Sequence, residues 1–195
     1  MNFDQLLITK MFSLKVDDEL ELALSDENRV EEAFAVIMAN YEHIYEWSRW
    51  LDENFTLEKA REFCTAHMRS FENEGDEIGL RIIYQGKIVG STGFHAINRR
   101  DKSAEIGYWL AKDCTGKGLM TRTVAKLLEY GFDELKLNRI VVKCVPENLK
   151  SRRIPEKLGF TQEGIERESG WLHDRFVDHV VYSILASEWG EKVKK

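Results

Sequence analysis

The chain has 195 residues, of which 43% are hydrophobic and 32% are charged, and its formal net charge is -6. This length supports one compact domain with its own core and is too short for two large ones, so residues 1–195 are predicted to form a single domain. The acidic balance argues against broad nucleic-acid binding and suits a cationic or amine-bearing partner.

The spacing of the cysteines and the length of the apolar runs indicate in which cellular compartment the protein works. Cys64, Cys114 and Cys144 lie too far apart for a metal knuckle, and their odd number does not fit a disulfide framework. The N-terminal stretch has Asp4 ahead of a short apolar patch, and no run of about 18 apolar residues occurs. We therefore expect a cytoplasmic protein without membrane attachment.

A strand and two helices are predicted first. Residues 20–24 alternate apolar and polar side chains, as a half-buried strand does. Ser25 or Asp26 offers an N-cap for a helix whose apolar residues recur as far as Met38. A second helix is predicted over residues 56–73, where Thr56 starts it and Gly75 lies near its end.

Strands dominate the rest of the chain. Residues 78–84 and 88–94 keep a period of two on either side of Gln85-Gly86, which predicts a hairpin. The later elements are, in chain order, strand 105–110, a glycine loop, a helix from Met120 to Leu135, strand 140–145 ended by Pro146, a short helix capped by Asn148, and paired strands 163–171 and 176–185. This order predicts a mixed α/β sandwich rather than a doubly wound parallel sheet.

The glycine loop that follows strand 105–110 is suited to an anion. Glycines let backbone N–H groups converge, and a helix N-terminus adds its positive dipole end, so a phosphate or pyrophosphate fits. Ala111 and Gly118 stand where a Walker A loop requires glycine and Ser or Thr, and Thr121 stands where a dinucleotide loop requires glycine. A tight turn without any ligand is the alternative at this point.

Two blocks resemble the GCN5-related N-acetyltransferase (GNAT) family. The segment Thr115-Gly116-Lys117-Gly118-Leu119-Met120 is similar to its Gln/Arg-x-x-Gly-x-Gly/Ala acetyl-CoA loop, from which Thr115 and Met120 depart. The block from Asn148 to Phe160 resembles the closing N-x-x-S and E-K-x-G-F signature. The resemblance covers residues 8 to 186, and segments 105–110 and 116–121 look most like the RimJ/RimL-type ribosomal-protein N-terminal acetyltransferases.

The resemblance implies a mostly antiparallel central sheet with helices on both faces and a parallel βαβ unit at the coenzyme A site. It also implies acetyl-CoA as co-substrate, no metal, and direct transfer of acetyl to an amine. Backbone N–H groups of 109–111 would polarise the thioester carbonyl, and Pro146 would help the next strand diverge. The residues implied to contact acetyl-CoA are Trp109, Leu110, Ala111, Thr115, Gly116, Lys117, Gly118, Leu119, Met120, Thr121 and Asn148.

The same resemblance implies two catalytic residues. By resemblance, Glu105 corresponds to the strand glutamate that deprotonates the amine through water, although a strand carboxylate could instead face solvent or bind the substrate's ammonium. Ser151 corresponds to the acid that protonates the thiolate, yet Asn148 and Ser151 could be only an N-cap and a first-turn residue. Pro155 cannot donate to the Ser151 carbonyl, which predicts a loosened or kinked turn.

Histidine, cysteine and aromatic side chains are weaker candidates for the site. The five histidines show neither HxxxH nor HExxH spacing, so zinc catalysis is not expected. His95 could shuttle protons or simply close a strand, and Cys114 abuts the loop although no step requires a thiol. Four aromatic residues follow the first helix: Tyr41, Tyr45, Trp47 and Trp50. In relatives this segment forms part of the acceptor wall, but a packed aromatic core is the favoured interpretation in this chain.

The acceptor is predicted at the level of its class. By resemblance, the favoured acceptor is the N-terminal α-amine of a ribosomal protein, which needs an open groove between the first helical pair and the last hairpin. A polyamine or aminoglycoside would need a compact acidic pocket instead. A catalytically silent acyl-CoA-binding module is the third alternative. We expect no nucleic-acid or membrane partner. The sequence leaves open whether the protein forms a homodimer.

Overall fold

The computed structural model describes residues 12–193, with side chains described through Gly190. The N-terminal patch around Asp4 and the start of the family resemblance lie outside this part of the chain. The strands are β1 (Ser13–Lys15), β2 (Leu20–Leu24), β3 (Ile78–Tyr84), β4 (Lys87–Asn98), β5 (Ser103–Leu110), β6 (Arg139–Cys144), β7 (Thr161–Leu172) and β8 (Arg175–Leu185). The α-helices are α1 (Val30–Ala39), α2 (Tyr41–Tyr45), α3 (Leu57–Glu72), α4 (Leu119–Asp133), α5 (Leu149–Leu158) and α6 (Ala186–Val193).

The strands form one sheet in the order β1-β2-β3-β4-β5-β6-β8-β7. Only β5 and β6 run parallel, and every other neighbouring pair is antiparallel. The predicted fold class, a mixed and mostly antiparallel sheet with helices on both faces and one parallel βαβ unit, is therefore confirmed. A parallel pair requires a crossover, and α4 provides it.

Alternating side chains divide the core between the two faces of the sheet. On one face, Val124, Leu127 and Leu128 of α4 are fully buried in the cluster that also holds Leu22 and Leu80 of the sheet. On the other face, Ala33 of α1 packs with Ile83 and Ile88, and the buried side chains of α1 and α3 form a further cluster. The period of two in β2 and β3 produces this division, because successive side chains point to opposite faces.

Most predicted elements lie where their patterns indicated. Gln85 and Gly86 both have positive φ, 50° and 78°, as the two-residue turn of a hairpin requires. The Thr56 side chain accepts from the Lys59 N–H and caps α3 as predicted. The Asp26 side chain accepts from the Asn28 N–H, but it caps a 3-10 turn over Glu27–Arg29 that leads into α1 rather than α1 itself. The patterns missed β1, α2 and α6, which are three, five and eight residues long and too short for a clear periodicity.

The parallel pair opens into a gap that positions the site. β5 pairs with β6 only from Ser103 to Glu105, opposite Arg139 to Val141. Beyond that point β5 continues to Leu110 and β6 to Cys144 without pairing to each other. The two strands separate after Glu105 and Val141, well before Pro146. Pro146 therefore does not start the divergence, contrary to our expectation.

Candidate active site

The backbone of β5 presents hydrogen-bond donors to the gap. The Ala111 N–H donates to the Val89 carbonyl at 2.7 Å, so the donor role predicted for Ala111 is wrong. N–H groups alternate between the two edges of a strand, which directs the Trp109 N–H toward β4 and those of Tyr108 and Leu110 into the gap. Of the three donors predicted at 109–111, only Leu110 therefore serves the gap. Strand phase decides this, and the sequence alone does not reveal it.

The glycine loop is shaped by backbone angles. Gly116 and Gly118 have φ of 79° and 75°, and a Cβ at either would meet nothing within 4 Å. Glycine thus suits the left-handed conformation at both positions, and no protein atom requires the absence of a side chain there. The Thr115 hydroxyl donates to the Lys112 carbonyl at 2.7 Å, so this departure from the family pattern holds the loop in place.

The N-terminus of α4 is open toward the cleft. Gly118 provides no side-chain cap, and the first turn contains no acidic residue. The first helical bond runs from the Arg122 N–H to the Gly118 carbonyl, which leaves the N–H groups of residues 119–121 without helical acceptors. Met120 is buried in the core, so it contributes backbone rather than side chain here. Free donors and the helix dipole make this terminus suitable for a phosphate group.

A row of cations on α5 lines the same cleft. Lys150, Arg153 and Lys157 recur at intervals of three and four residues, which places them on one side of the helix. All three are exposed. Sequence reasoning passed over them, although their helical spacing in the sequence was a usable signal.

Ser151 belongs to a small hydroxyl and thiol cluster. Its Oγ lies 3.3 Å from the Tyr108 hydroxyl and 3.2 Å from the Cys144 Sγ. The Tyr108 hydroxyl donates to the Ser151 carbonyl at 3.0 Å. The Asn148 Oδ1 accepts from the Ser151 N–H at 3.1 Å, so Asn148 does cap α5, and its amide Nδ2 is left to donate elsewhere.

Tyr108 explains how α5 tolerates Pro155. The helix runs unbroken through Pro155, contrary to the loosened or kinked turn that we expected. Proline has no N–H for the Ser151 carbonyl, and the Tyr108 hydroxyl supplies the missing donor. Desolvation raises the pKa of Tyr108 well above its usual range, and the neighbouring Cys144 acts in the same direction. The phenol therefore keeps its proton at neutral pH.

Glu105 lies in a charged row on the face of the sheet opposite Tyr108, because residues 105 and 108 alternate along β5. Its Oε1 is 3.1 Å from the Lys143 Nζ, which is also 3.2 Å from an Oε2 of Glu166. Burial lowers the pKa of Lys143, but the hydrogen bonds to Glu105 and Glu166 outweigh it, so the net shift is upward. His95 is the cross-strand neighbour of Glu105, and its Nδ1 is 3.6 Å from Glu77.

One cleft of about 1440 Å³ contains nearly all of these groups. Among the predicted site residues it is lined by Glu105, Trp109, Leu110, Thr115, Gly116, Gly118, Leu119, Met120, Thr121, Asn148 and Ser151. Ala111 and Lys117 do not line it. Tyr108, Cys144 and Lys143 were missed although they stand close in sequence to Trp109 and Asn148, because nothing in their local pattern shows which partners they meet in the fold.

The aromatic segment after α1 has two roles. Tyr41 and Tyr45 stack at 5.3 Å between ring centroids, and His173 stacks on Tyr45 at 3.7 Å. Trp47 and Trp50 line the cleft instead. The favoured interpretation as a packed core thus holds for the tyrosines, while the tryptophans form part of the cleft wall.

Metal-ligand clusters and membrane-spanning helices are absent from residues 12–193. In that part of the chain, no three His, Cys, Asp or Glu side chains are grouped so as to hold a metal ion. No helix there combines the length and the apolar character needed to cross a bilayer.

Comparison with known proteins agrees with this geometry. Residues 21–161 match the family model described as acetyltransferase (GNAT) domain. The provisionally named ribosomal N-acetyltransferase YdaF of Bacillus subtilis is 32% identical over 93% of this chain and 100% of its own. The ribosomal-protein-serine acetyltransferase of Escherichia coli is 26% identical over 88% of this chain and 95% of its own.

A solved structure extends the likeness to a bound co-substrate. The microcin C7 self-immunity acetyltransferase MccE, in complex with acetyl-CoA and AMP, superposes with a TM-score of 0.84. It is 31% identical and covers 88% of this chain and 95% of its own. The open α4 terminus and the gap beside β5 fit the same co-substrate. The chain therefore belongs to the GNAT family and is an acetyl-CoA-dependent N-acetyltransferase.

Proposed function

We propose that this enzyme acetylates the N-terminal α-amine of a protein, with a ribosomal protein as the favoured acceptor. The observation that carries the proposal is the shape of the cleft. It extends from α1 and α3, through Ile37 and Phe63, across the sheet to the β7–β8 hairpin, through Ser169 and His179. This is the open groove that a polypeptide end needs, and the relatives named for ribosomal proteins support the same acceptor.

Acetyl-CoA would lie along the other half of the cleft. The N–H groups of Leu119, Met120 and Thr121 would hold the pyrophosphate, with Gly116 and Gly118 shaping the approach. Lys150, Arg153 and Lys157 would neutralise phosphate charge. Asn148 would donate from Nδ2 to the pantetheine arm, and the Leu110 N–H would face the thioester end. Thr115 would act by holding the loop, and Lys117 by its charge alone.

Glu105 would accept the proton of the attacking amine through water. Its carboxylate pairs with Lys143 in the resting site, and a carboxylate needs to be ionised to act as a base. The same charge could hold the substrate's ammonium before it loses its proton. The amine nitrogen would then form the new bond to the acetyl carbon as the carbon–sulfur bond breaks.

Ser151 would protonate the departing thiolate. In the resting site its hydroxyl donates to the Tyr108 hydroxyl at 3.3 Å, and it would turn that proton to the sulfur as the carbon–sulfur bond breaks. Ser151 would regain a proton from solvent after CoA leaves. Cys144 lies beside Ser151, but no step uses its thiol.

The test is release of CoA from acetyl-CoA with N-terminal peptides, polyamines and aminoglycosides as acceptors. We expect release with peptides, a loss of most of kcat in Glu105→Gln, and unchanged affinity for acetyl-CoA. Glu62→Gln, on the exposed side of α3, is the matched control and should behave as the native enzyme. Turnover that survives in Glu105→Gln would remove Glu105 from the mechanism.

Two outcomes would replace the proposal. Release with polyamines or aminoglycosides alone would identify a small-amine acetyltransferase, and MccE shows that the fold also occurs in an enzyme of microcin immunity. Acetyl-CoA binding without release for any amine would indicate the silent module. The proposal also takes residues 1–195 as one catalytic domain that works in the cytoplasm. Size-exclusion chromatography would decide whether the protein forms a homodimer.

A further inference from the structure

Arg81 is a buried cation that the proposed mechanism does not use. It lies on β3, lines the cleft and is only 9% exposed. Over residues 12–193, its guanidinium forms no ion pair or hydrogen bond, and its nitrogens are not among the fully enclosed polar atoms, so they face the cleft. A buried charge without a partner normally destabilises a fold. The uncompensated charge of Arg81 points to a partner that arrives with a ligand.

His67 lies beside it and is also unpartnered. Its Nδ1 is buried without any hydrogen bond. Burial, reinforced by the charge of Arg81, lowers the pKa of His67 to about 4, so the ring is neutral at physiological pH. The ring packs on Gly79, where an added Cβ would be 2.2 Å from Nδ1. The absence of a side chain at Gly79 thus makes room for the imidazole at this end of the cleft.

The strands beside Arg81 provide no partner for its guanidinium. Its cross-strand neighbours are Ala23 and Ser91, both small. The Ser91 hydroxyl donates to the Leu80 carbonyl at 2.9 Å rather than engaging the guanidinium. Buried neighbours therefore do not satisfy Arg81, and its remaining opening is toward the cleft.

Strand register relates Arg81 to the transfer gap. Arg81 pairs with Ser91, and Ser91 pairs with Trp109, the residue before Leu110. Two strand spacings separate Arg81 from Trp109, or about 10 Å between Cα atoms. An extended peptide advances about 3.4 Å per residue, so this distance corresponds to a few residues of an acceptor.

We propose that Arg81 and His67 form a carboxylate-binding subsite for the acceptor, so that preferred acceptors carry a carboxylate within a few residues of the reacting amine. One guanidinium with a neutral imidazole matches a single negative charge, which favours a carboxylate over a phosphate dianion. Polyamines carry no anion and would meet a buried cation. The proposal rests on the proposed function, because it concerns the acceptor half of that site.

The test compares acceptors that differ in one charge. Peptides with Asp or Asn at positions one to four would be assayed for kcat/KM with acetyl-CoA. Amino acids and their amides would distinguish an α-carboxylate from a side-chain carboxylate. At one position we expect Asp to exceed Asn by at least about tenfold, as one charge-assisted contact would allow.

Variants locate the preference at Arg81. In Arg81→Met the Asp preference should fall to near unity while the Asn peptide is unaffected, and Arg81→Lys should keep part of it. The methionine variant should remain folded, since it removes an unpaired buried charge. Arg69→Gln, on the exposed surface of α3, is the charge-matched control and should retain the preference. Equal rates for Asp and Asn peptides, or a preference unchanged in Arg81→Met, would overturn the proposal.

A binding assay separates this proposal from the proposed function. If no amine supports CoA release, thermal shifts with the same peptides still test the subsite. A larger shift with the Asp peptide that disappears in Arg81→Met would support the subsite without catalysis. Equal shifts for the two peptides would overturn it.

Discussion

The hydrogen bond from Tyr108 to the Ser151 carbonyl predicts a specific coupling with Pro155. Tyr108→Phe removes the donor that the Ser151 carbonyl accepts from at 3.0 Å, and Pro155 cannot replace it. An orphaned, partly buried carbonyl costs about 1–3 kcal/mol of unfolding free energy. In Pro155→Ala, the new N–H at position 155 can donate to this carbonyl through the ordinary helical bond.

We therefore expect Tyr108→Phe to cost about 1 kcal/mol less in the Pro155→Ala background than in the native chain. Urea unfolding of the native protein, both single variants and the double variant gives this coupling energy. For a chain of this size, 1 kcal/mol corresponds to about 2–4 °C in Tm. Tyr130→Phe is the matched control, because the Tyr130 ring packs on Phe12 and Phe94 while its hydroxyl forms no hydrogen bond among residues 12–193. Additive effects of the two substitutions would refute the compensation.

Three other properties should be measurable. The pKa of His67 is about 4 against an ordinary 6.5, so the unfolded state takes up a proton at higher pH than the folded state does. The free energy of unfolding should therefore fall by about 3 kcal/mol as the pH drops from 6.5 through 4. In pH-dependent unfolding, His67→Gln should reduce this loss. Gly118→Ala should lower stability by about 1 kcal/mol in urea unfolding, because φ is 75° there. Lys150→Gln should weaken acetyl-CoA binding and flatten its salt dependence in titration calorimetry, and unchanged curves would exclude a phosphate contact.

Elements with their own local signal could be predicted from the sequence. The Gln85-Gly86 turn, the Thr56 cap and the glycine loop each depend on residues that are close neighbours in the chain. The fold class followed from their order together with the family resemblance. Contacts across the sheet carry no such signal, and Tyr108 reaches Ser151 from 43 positions away.

Two corrections have the same origin. Whether Ala111 or Leu110 faces the gap depends on the phase of the β4–β5 ladder, which the bond from Ala111 to Val89 fixes. Whether α5 loosens at Pro155 depends on a hydroxyl from another strand. Arg81 likewise reads as an ordinary polar strand residue, and only the fold shows it buried without a partner.

The most direct test of the account is the position of the transferred acetyl group. A peptide with a free N-terminus and one internal lysine would be incubated with the enzyme and acetyl-CoA, and fragmentation mass spectrometry would locate the modification. For an N-terminal acetyltransferase we expect acetyl on the α-amine and none on the lysine. A peptide with a blocked N-terminus should stay unmodified. Acetyl on the lysine, or modification of the blocked peptide, would contradict it.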